Sequence, residues 1–520
     1  MASLFDDLQD VRNLPVYPHD GPVEVVSTHA SHVFLTKHDV FKIKRAKNFG
    51  FLDYSTVELR EHFCHEEVRL NRRAAPGVYL GVLPVRLDDA GHSLVRGGDV
   101  VDYAVHMRRL PIERSAEALL ATDRLGHDEI DELAAYLRRF YASVPHDQPS
   151  PGALATSIQE NFRQARPFVG EIVPEACFDE VVAAQSAWLE HHGLLLAQRR
   201  SHDGHGDLRL EHVYFLDDGP IAIDCIEFTE RFRVGDWALD VAFLAMDLSD
   251  HGRQDLADSL LARLAYEFDD YDFWPLIDGY VSYRAFVRGK VACFVAADAH
   301  TAEGVRARKV SEARRYFALA RDALIAPRPA PFLVCVGGKI ASGKSTVARE
   351  LARRASCAIV SADATRKALA GLAHTDKGPA SIYTPEFSSR VHDELCRRAA
   401  LVLEAGRSVI VDTTFGTKSL RARFHELARH HGARFVFVEC QTDEAESLRR
   451  LRARGPGEVS DAREDQWATL SARFEEIDEF DASRHMIVDG ALPSSRCAGA
   501  VLEKCPDLSA RTGSEGRETT

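Results

Sequence analysis

The sequence predicts two domains of different fold class, an α+β domain followed by an α/β domain with a parallel sheet. The chain has 520 residues, which is more than a single hydrophobic core usually organises. Strand-like runs precede helical patterns in the first half, whereas short apolar runs alternate with helical patterns in the second half. A proline-rich stretch over 326–331 separates the two patterns and is typical of a stiff linker. We therefore expect a first domain over 1–325, the linker, a second domain over 332–506 and a disordered tail over 507–520.

The order of elements follows from the periodicity of apolar residues. In the first half, strands are predicted at Val23–Ser27, His32–Leu35, Val40–Lys44, Tyr79–Leu87 and Val100–Arg108, with a helix at Val57–Ala74 and mainly helical structure from Ala116 to about Leu196. In the second half, strands are predicted at Phe332–Val336, Cys357–Ser361, Ser408–Val411 and Arg434–Glu439, with helices at Phe387–Ala405, Leu420–His431 and from Glu444.

Composition narrows the class of protein. Apolar residues make up 45% of the chain and charged residues 28%, which is ordinary for a soluble globular protein. The 65 basic and 79 acidic residues give a net charge of −14, which argues against nucleic acid as a partner. Apolar runs are too short to span a membrane, and the first residues are acidic where a signal peptide would be basic. The ten cysteines form no C-x-x-C pair, which argues against a zinc or disulfide framework. We expect a cytoplasmic protein; its oligomeric state is not predicted.

The most informative motif is G-x-x-x-x-G-K-[ST], which runs from Gly338 to Ser345 directly after a predicted strand. Such a P-loop wraps backbone N–H groups around a phosphate, its lysine neutralises the β/γ-phosphates and its serine offers a hydroxyl to Mg²⁺. We therefore predict a site for ATP and Mg²⁺ here. The residues expected to bind the nucleotide are Gly338, Lys339, Ile340, Ala341, Ser342, Gly343, Lys344, Ser345 and Thr346.

Polar residues that follow the next strands favour a kinase over a motor. Asp363 is placed to accept a proton from an acceptor hydroxyl, and Arg366 to grip the acceptor. Asp412 ends an apolar strand as the acid expected to hold the Mg²⁺ shell. An arginine cluster ahead of a Gly-Pro-Gly segment is typical of a mobile lid, with Arg452 as the candidate for contact with the transferring phosphoryl group. A helix N-cap for Asp363 and a solvated face for the arginines are the alternatives.

With these pieces, the region from about 332 to 490 resembles the gluconate-kinase, zeta-toxin and polynucleotide-kinase group of P-loop kinases. The shared elements are the P-loop, the [ST]-x-D-x-x-R element from Ser361 to Arg366, and the Val-Asp-Thr-Thr strand end around Asp412. The sequence lacks sensor motifs and a second ATPase acid after Asp412, which argues against an oligomeric AAA-type machine.

A second set of polar residues in the first half also suits phosphoryl transfer. Asp207 precedes a predicted hairpin and Asp224 ends it, so the hairpin should bring the two carboxylates together, one as base and one as Mg²⁺ ligand. Upstream, Lys42 and Lys44 share one face of a strand. Glu66 and Glu67, near the middle of the following helix, could pair with either lysine and so orient phosphates.

These residues give residues 23 to about 300 a resemblance to the aminoglycoside phosphotransferase family of the protein-kinase-like fold. The family motif H-G-D-x-x-x-x-N corresponds to the segment from His205 to His212, and I-D-x-x-E to Ile223–Glu227. The resemblance implies that Asp207 is the catalytic base and Asp224 a Mg²⁺ ligand. It implies further that Lys42 binds phosphate with Glu67 as its partner, and that Asp236 is a downstream structural acid.

Two departures from that family stand out. His212 occupies the position of the second metal-binding asparagine, where an imidazole is a poorer Mg²⁺ ligand than an amide oxygen. The turn from Thr28 to His32 has no glycine-rich phosphate lid. Two alternatives stay open: a metal-hydrolase site built from His202, His205, Asp207 and His212, and an anion clamp formed by Arg284 and Arg288, which could equally be an ion-paired face.

The whole chain also resembles the bacterial family of bifunctional aminoglycoside phosphotransferase/ATP-binding proteins, in which the two modules occur in this order. The predicted function is an ATP- and Mg²⁺-dependent phosphotransferase with two nucleotide-binding modules and a sugar-like or related hydroxyl acceptor. The alternatives are a metabolite-sensing pseudokinase module fused to a regulatory P-loop ATPase, and an energy-coupled ATPase.

Overall fold

A computed structural model describes residues 4–16, 22–28, 30–48, 50, 52–147, 152–453, 464 and 467–508. The chain divides into two compact units, one comprising Met1–Thr156 and Leu194–Leu244 and the other Ser157–Gly193 and Ala245–Thr520. The predicted linker at 326–331 lies within the second unit, and the domain boundary that it marks stays a prediction.

The first unit is built on an antiparallel sheet with the strand order β1-β2-β3-β6-β4-β5. The hairpin β9–β10 and a small sheet in the order β11-β8-β7 complete its strands in the described ranges. Their bounds are β1 (Glu24–Ser27), β2 (Ser31–Leu35), β3 (Asp39–Lys44), β4 (Tyr79–Asp88), β5 (Gly91–Ser93), β6 (Asp99–Arg108), β7 (His146–Asp147), β8 (Ser201–Asp203), β9 (Val213–Leu216), β10 (Gly219–Ala222) and β11 (Val234–Gly235).

The second unit contains a parallel sheet in the order β13-β14-β12-β15-β16. Its strands are β12 (Phe332–Gly337), β13 (Ala358–Ser361), β14 (Val409–Asp412), β15 (Arg434–Gln441) and β16 (His485–Asp489). The β12, β13 and β14 strands are buried along their whole length, because helices cover both faces of a parallel sheet.

The helices carry the remaining regular structure. In chain order they are α1 (Leu4–Leu8), α2 (Val57–Ala74), α3 (Ala116–Ala121), α4 (His127–Ser143), α5 (Ala153–Ala165), α6 (Glu175–Gln198), α7 (Trp237–Asp250), α8 (Gln254–Phe268), α9 (Ile277–Ala297), α10 (Glu303–Ile325), α11 (Lys344–Ala355), α12 (Ala362–Leu369), α13 (Pro385–Glu404), α14 (Lys418–His430), α15 (Glu444–Ala453), α16 (Trp467–Ala472) and α17 (Ser494–Lys504). None of those within the described ranges combines the length and the apolar content needed to cross a bilayer.

Each sheet organises a core. In the first unit, α2 packs on one face of the sheet through Cys64 and Val68, while α1 contributes Leu8 to the cluster on Phe34 and Phe41. In the second unit, α11 and α17 pack against strands β12, β14, β15 and β16 in one continuous apolar cluster. The predicted fold classes, an α+β domain followed by an α/β P-loop domain with a parallel sheet, are confirmed.

One edge of the parallel sheet is covered by a helix that lies before the predicted linker. Helix α8 packs against β13, the first strand in the sheet order. Just after α8, the hydroxyl of Tyr271 donates a hydrogen bond to the carbonyl oxygen of Ile359 in β13, at 2.5 Å. Residues upstream of 326 are therefore part of the P-loop unit.

Candidate active sites

Two lysines of the first unit meet one buried glutamate. Lys42 and Lys44 alternate along β3 and so face the same side, as predicted. Lys42 Nζ lies 2.9 Å from Glu67 Oε1, and Lys44 Nζ lies 2.6 Å from Glu67 Oε2. Glu66 instead pairs with Arg69 on the outer face of α2, at 2.7 Å. The structure thus pairs Glu67 with Lys42, as the family resemblance implied, and equally with Lys44.

Asp224 lies on the other side of Lys42, with its Oδ1 2.5 Å from Lys42 Nζ. Its backbone has a φ of 65°, a left-handed conformation that non-glycine residues rarely adopt. The amide N–H of Asp224 donates to the hydroxyl of Tyr79 at 3.1 Å, which helps to hold this strained loop in place. Burial alone would raise the pKa of Asp224, but Lys42 and His212 together lower it well below the usual carboxyl range.

His212 lies between the two predicted catalytic carboxylates. Its Nδ1 is 2.8 Å from the backbone oxygen of Asp207 and 3.6 Å from Asp207 Oδ2, and its Nε2 is 3.8 Å from Asp224 Oδ2. Because a carbonyl oxygen only accepts, Nδ1 carries the proton that it donates to the backbone of Asp207. The hairpin β9–β10 therefore brings Asp207 and Asp224 to the same imidazole.

The loop that carries Asp207 is anchored by Asp240, a residue that the sequence did not single out. Asp240 Oδ2 accepts from the amide of His205 at 2.6 Å, and its Oδ1 accepts from the amide of Gly206 at 2.9 Å. Asp236, which the family resemblance implied as the structural acid, instead accepts from Arg199 at 2.7 Å. The two acids are one helical turn apart, so only the fold decides which of them faces the loop.

The metal-hydrolase alternative finds no support in the described residues. Within them, no group of three or more His, Cys, Asp or Glu side chains is arranged to hold a metal ion. His205 is fully buried, and its Nε2 lies 2.9 Å from the backbone oxygen of Ile223, where it must donate. Its role is to tie the Asp207 loop to the strand end before Asp224.

In the second unit, the P-loop has the backbone that a phosphate cradle needs. Gly338 has a φ of 140° and Gly343 a φ of 90°, values that a side chain would strain. A Cβ on Gly338 would lie 2.4 Å from the carbonyl oxygen of Cys440, so the loop cannot accept a larger residue there. Helix α11 begins at Lys344 with Ser345 and Thr346 in its first turn, so its N-terminal dipole points at the loop.

Asp412 ends β14 directly beside the P-loop. The parallel register pairs it with Ser361 of β13 and Val336 of β12, and the hydroxyl of Ser361 lies 3.4 Å from Asp412 Oδ2. Among the described residues, Asp412 Oδ1 is buried without a hydrogen-bond partner. Burial raises the pKa of Asp412, although Lys344 and the hydroxyl of Ser345 lower it in part. A buried carboxylate oxygen with no partner, next to a serine hydroxyl, fits a Mg²⁺ shell.

Asp363 and Arg366 lie on α12, which follows β13. Ser361 is the N-cap of this helix and Asp363 is its second residue, so Asp363 is not the N-cap. Arg366 donates to the carbonyl oxygen of Ile382 at 2.6 Å and to the hydroxyl of Ser388 at 3.2 Å, and its guanidinium lies over the ring of Tyr383. The predicted acceptor residues thus share one short helix at the carboxyl edge of the sheet.

The predicted lid contacts the P-loop through Arg450 rather than Arg452. Arg450 Nη2 donates to the carbonyl oxygen of Gly490 at 2.7 Å, and its Nη1 donates to that of Ala341 at 3.4 Å. The Arg452 side chain is 63% exposed and pairs with Glu464, its Nε lying 2.8 Å from Oε1. The last arginine of the predicted lid, Arg454, and the Gly-Pro-Gly segment that follows it at 455–457 lie outside the described residues.

Gly490 is a second residue that the sequence did not single out. It follows β16, and a Cβ on it would lie 1.9 Å from the carbonyl oxygen of Ser342 in the P-loop. The apex of the loop is also covered, because Ile340 and Ala341 pack with Leu451 and Trp467. The only sequence signal for Gly490 was a glycine after an apolar run, which is common and points to no site.

The cation-rich face of α9 is ion-paired rather than an open anion clamp. Arg288 Nη2 lies 3.5 Å from Glu312 Oε1 on α10, and Arg284 is buried. This outcome agrees with the alternative that the sequence left open.

Comparison with known proteins adds two findings. The model of the AAA domain family matches residues 333–477, which span the P-loop, α12 and Asp412. The uncharacterized protein Rv2004c of Mycobacterium tuberculosis (strain ATCC 25618 / H37Rv) is 30% identical over 490 residues, which cover 92% of this chain and 94% of Rv2004c.

Two of the solved structures that match the chain are an aminoglycoside phosphotransferase and a gluconokinase. The GDP complex of wild-type aminoglycoside 2'-phosphotransferase-IIIa covers 61% of this chain and 99% of its own, at 13% identity and a TM-score of 0.40. A gluconokinase from Sinorhizobium meliloti 1021 covers 35% of this chain and 95% of its own, at 21% identity and a TM-score of 0.27.

Proposed function

The chain belongs to the family of the mycobacterial protein Rv2004c, which matches it along both halves, and from this premise we propose that it is an ATP-dependent small-molecule phosphotransferase. In this proposal the second half transfers the γ-phosphoryl group of ATP to a hydroxyl group of a small acceptor. The first half is a kinase-like module that acts on a sugar-like or related hydroxyl.

The observation that carries the proposal is the set of groups gathered at the carboxyl edge of the parallel sheet. Lys344 stands at the start of α11, Asp412 directs an unpartnered Oδ1 beside the P-loop, and Asp363 lies in the first turn of α12. An AAA-type motor would carry a second acid after Asp412 to activate water, whereas a kinase needs a base on the acceptor side. Asp363 supplies a carboxylate in that position.

The proposed step follows from these positions. Asp363 takes the proton of the acceptor hydroxyl while the oxygen of that hydroxyl forms a bond to the γ-phosphorus. The bond between the γ-phosphorus and the β–γ bridging oxygen breaks at the same time and releases ADP. Lys344 and Arg450 stabilise the charge on the transferring group and the leaving oxygen. Mg²⁺, held by Ser345 and the shell around Asp412, would neutralise phosphate charge. The proton on Asp363 then passes to water.

In the first half, Lys42 is proposed to contact the phosphates of a second nucleotide and Asp207 to accept the acceptor proton. Burial alone would lower the pKa of Lys42, but Asp224 and Glu67 raise it well above its ordinary value, so the ammonium stays charged. Asp224 would hold Mg²⁺ in the same role as Asp412.

A second candidate function, a nucleotide or metabolite sensor, is favoured by two observations in the first half. His212 replaces an amide ligand with an imidazole, which suits Mg²⁺ poorly. The β1–β2 turn is closed by hydrogen bonds between Thr28 and Ser31, the shortest at 2.8 Å, so it is too tight to form a phosphate lid. In this reading the first half binds a ligand without turning it over.

The test is a screen of a metabolite extract with γ-labelled ATP and Mg²⁺, comparing the wild type with Lys344→Ala, Asp363→Asn and Asp207→Asn. We expect labelled products that disappear in Lys344→Ala and fall by about a hundredfold or more in Asp363→Asn. Products lost only in the second-half variants would assign sensing to the first half. Phosphate release without any labelled acceptor would replace the proposal by an energy-coupled ATPase.

We also propose a cytoplasmic location. All ten cysteines are free thiols, and Cys335, Cys440 and most of the others are buried as small apolar side chains. Such usage is typical of a reducing compartment. Labelling of intact cells with an impermeant protein reagent should leave the protein unmodified.

A further inference from the structure

Within the second unit, the carboxylate of Asp269 joins the end of α8 to α13. Asp269 caps the C-terminus of α8 with a left-handed φ of 51°. Its two carboxylate oxygens face the guanidinium of Arg398 on α13 in a bidentate pair, with Oδ1 2.6 Å from Nη1 and Oδ2 2.8 Å from Nη2. Arg398 is buried, so this pair is stronger and more directional than an ion pair on the surface.

Arg398 in turn touches the helix that carries the proposed base. Its Nη1 lies 3.4 Å from the hydroxyl of Thr365 on α12, between Asp363 and Arg366 in sequence. Its guanidinium also lies over the ring of Tyr271, whose hydroxyl holds β13. One side of α12 is therefore held through Arg398, and the guanidinium of Arg398 is held by Asp269 and, through Nε at 2.8 Å, by Glu394.

The loop after α12 reaches the same carboxylate. His374 Nε2 lies 3.8 Å from Asp269 Oδ1, and the ring of His374 lies 5.0 Å from that of Tyr266 on α8. The buried Lys367 of α12 donates to the backbone oxygen of His374 at 3.0 Å. Asp269 is thus connected to the middle of α12 through Arg398 and to its end through His374.

We propose that Asp269 is a positioning residue for the P-loop active site, through which the end of α8 sets α12 and hence Asp363 and Arg366. This inference rests on the proposed function, because it assigns α12 to acceptor binding. Under this proposal the P-loop kinase depends, within the second unit, on a side chain that comes before the predicted linker.

A neighbouring ion pair provides a matched control. Asp272 pairs with Arg397 at 2.5 Å, one residue away from Arg398, but both side chains are nearly half exposed, at 45% and 48%. The pair joins the same two segments without contact to α12 in any described hydrogen bond. Its loss should therefore cost little.

The experiment compares full-length wild type, Asp269→Asn, Asp269→Glu and Asp272→Asn. Two quantities are measured: Lys344-dependent transfer of label from γ-labelled ATP to a metabolite extract, and amide hydrogen exchange along the second unit. For Asp269→Asn we expect transfer to fall by about tenfold to a hundredfold at an unchanged KM for ATP, with faster exchange confined to 362–376. Asp269→Glu should recover most of the transfer, and Asp272→Asn should match the wild type.

Two results would overturn the inference. One is transfer in Asp269→Asn within about twofold of the wild type. The other is faster amide hydrogen exchange over the whole of 332–508, which would mean that the Asp269–Arg398 pair stabilises the unit as a whole and does not position α12. If the wild type shows no Lys344-dependent transfer, the proposed function fails instead, and the exchange measurement still decides whether Asp269 sets α12.

Discussion

The ammonium group of Lys44 lies 2.6 Å from Oε2 of Glu67, and the two side chains are closed to solvent. Lys44 also pairs with Glu227, so it neutralises two buried carboxylates while Lys42 faces the site. Removing one partner of a buried pair leaves an uncompensated charge. The two lysines, two residues apart on one strand, should therefore have different roles.

Replacing Lys44 with methionine is expected to lower the free energy of unfolding of the first unit by about 3–5 kcal/mol. Lys42→Met should lower the free energy of unfolding by less, because the Lys42 side chain is 18% exposed. It should nevertheless abolish nucleotide binding by the first half. Denaturant unfolding and nucleotide titration, both in a Lys344→Ala background, separate the two effects. Equal stability losses in the two variants would contradict this division.

Asp240 should matter more to the first half than Asp236, despite the family resemblance. Asp240→Ala leaves the buried amides of His205 and Gly206 without an acceptor, at a cost of about 1–3 kcal/mol for each group. We expect lower stability and faster amide exchange over 204–208. Asp236→Ala loses the Arg199 pair instead, and should leave exchange in that loop close to the wild type.

Gly490 should be intolerant of any side chain. The Cβ of Gly490→Ala would meet the backbone oxygen of Ser342, which cannot move without displacing the P-loop. We expect a stability loss of about 1–3 kcal/mol and weaker ATP binding, measured by calorimetry in a Lys42→Met background. Gly499→Ala, within α17, is the control and should be neutral or stabilising, because the nearest atom, Arg354 Nη1 of α11, is 3.8 Å away.

Asp278 should make the second unit sensitive to acid. Burial alone would raise its pKa, but Arg407 and Arg328 lower it to about 2. A carboxyl group whose pKa is lower in the folded state stabilises the fold at any pH above its pKa in the unfolded state. This contribution is lost as the pH falls through the pKa of the folded state. We expect the wild type to lose about 2 kcal/mol between about pH 4 and pH 2.

The control for this pH dependence is Asp278→Asn, which cannot ionise. Its free energy of unfolding should be lower than that of the wild type at pH 7, and the difference should shrink as pH falls from 4 to 2. A difference that stays constant over this range would assign the acid sensitivity to other carboxylates.

Local patterns predicted the elements well, because the signals lie within single segments. The predicted helix Val57–Ala74 has the same bounds in the structure, and the predicted strand ends put Ser361 beside Asp412. A strand that alternates apolar and basic residues also placed Lys42 and Lys44 on one face. These features depend on spacing along the chain, which the sequence displays directly.

The sequence did not predict those site residues whose roles depend on tertiary contacts. Asp236 and Asp240 are one helical turn apart. This spacing of two acids is common on exposed helices, so it does not show which of the two contacts the loop that carries Asp207. Arg450 contacts the P-loop while Arg452 pairs with Glu464, a choice set by the direction that α15 takes across the loop. Asp269 and Arg398 are 129 residues apart in sequence, so no local pattern could pair them.

Because α8 packs against β13 at the edge of the parallel sheet, it limits where a stable fragment of the second unit can begin. A fragment that began at the proline-rich stretch would lose Tyr271 and present the backbone of β13 to solvent, where unpaired strands of separate molecules join readily. Such a fragment should precipitate, whereas one that begins before Gln254 keeps the covering helix.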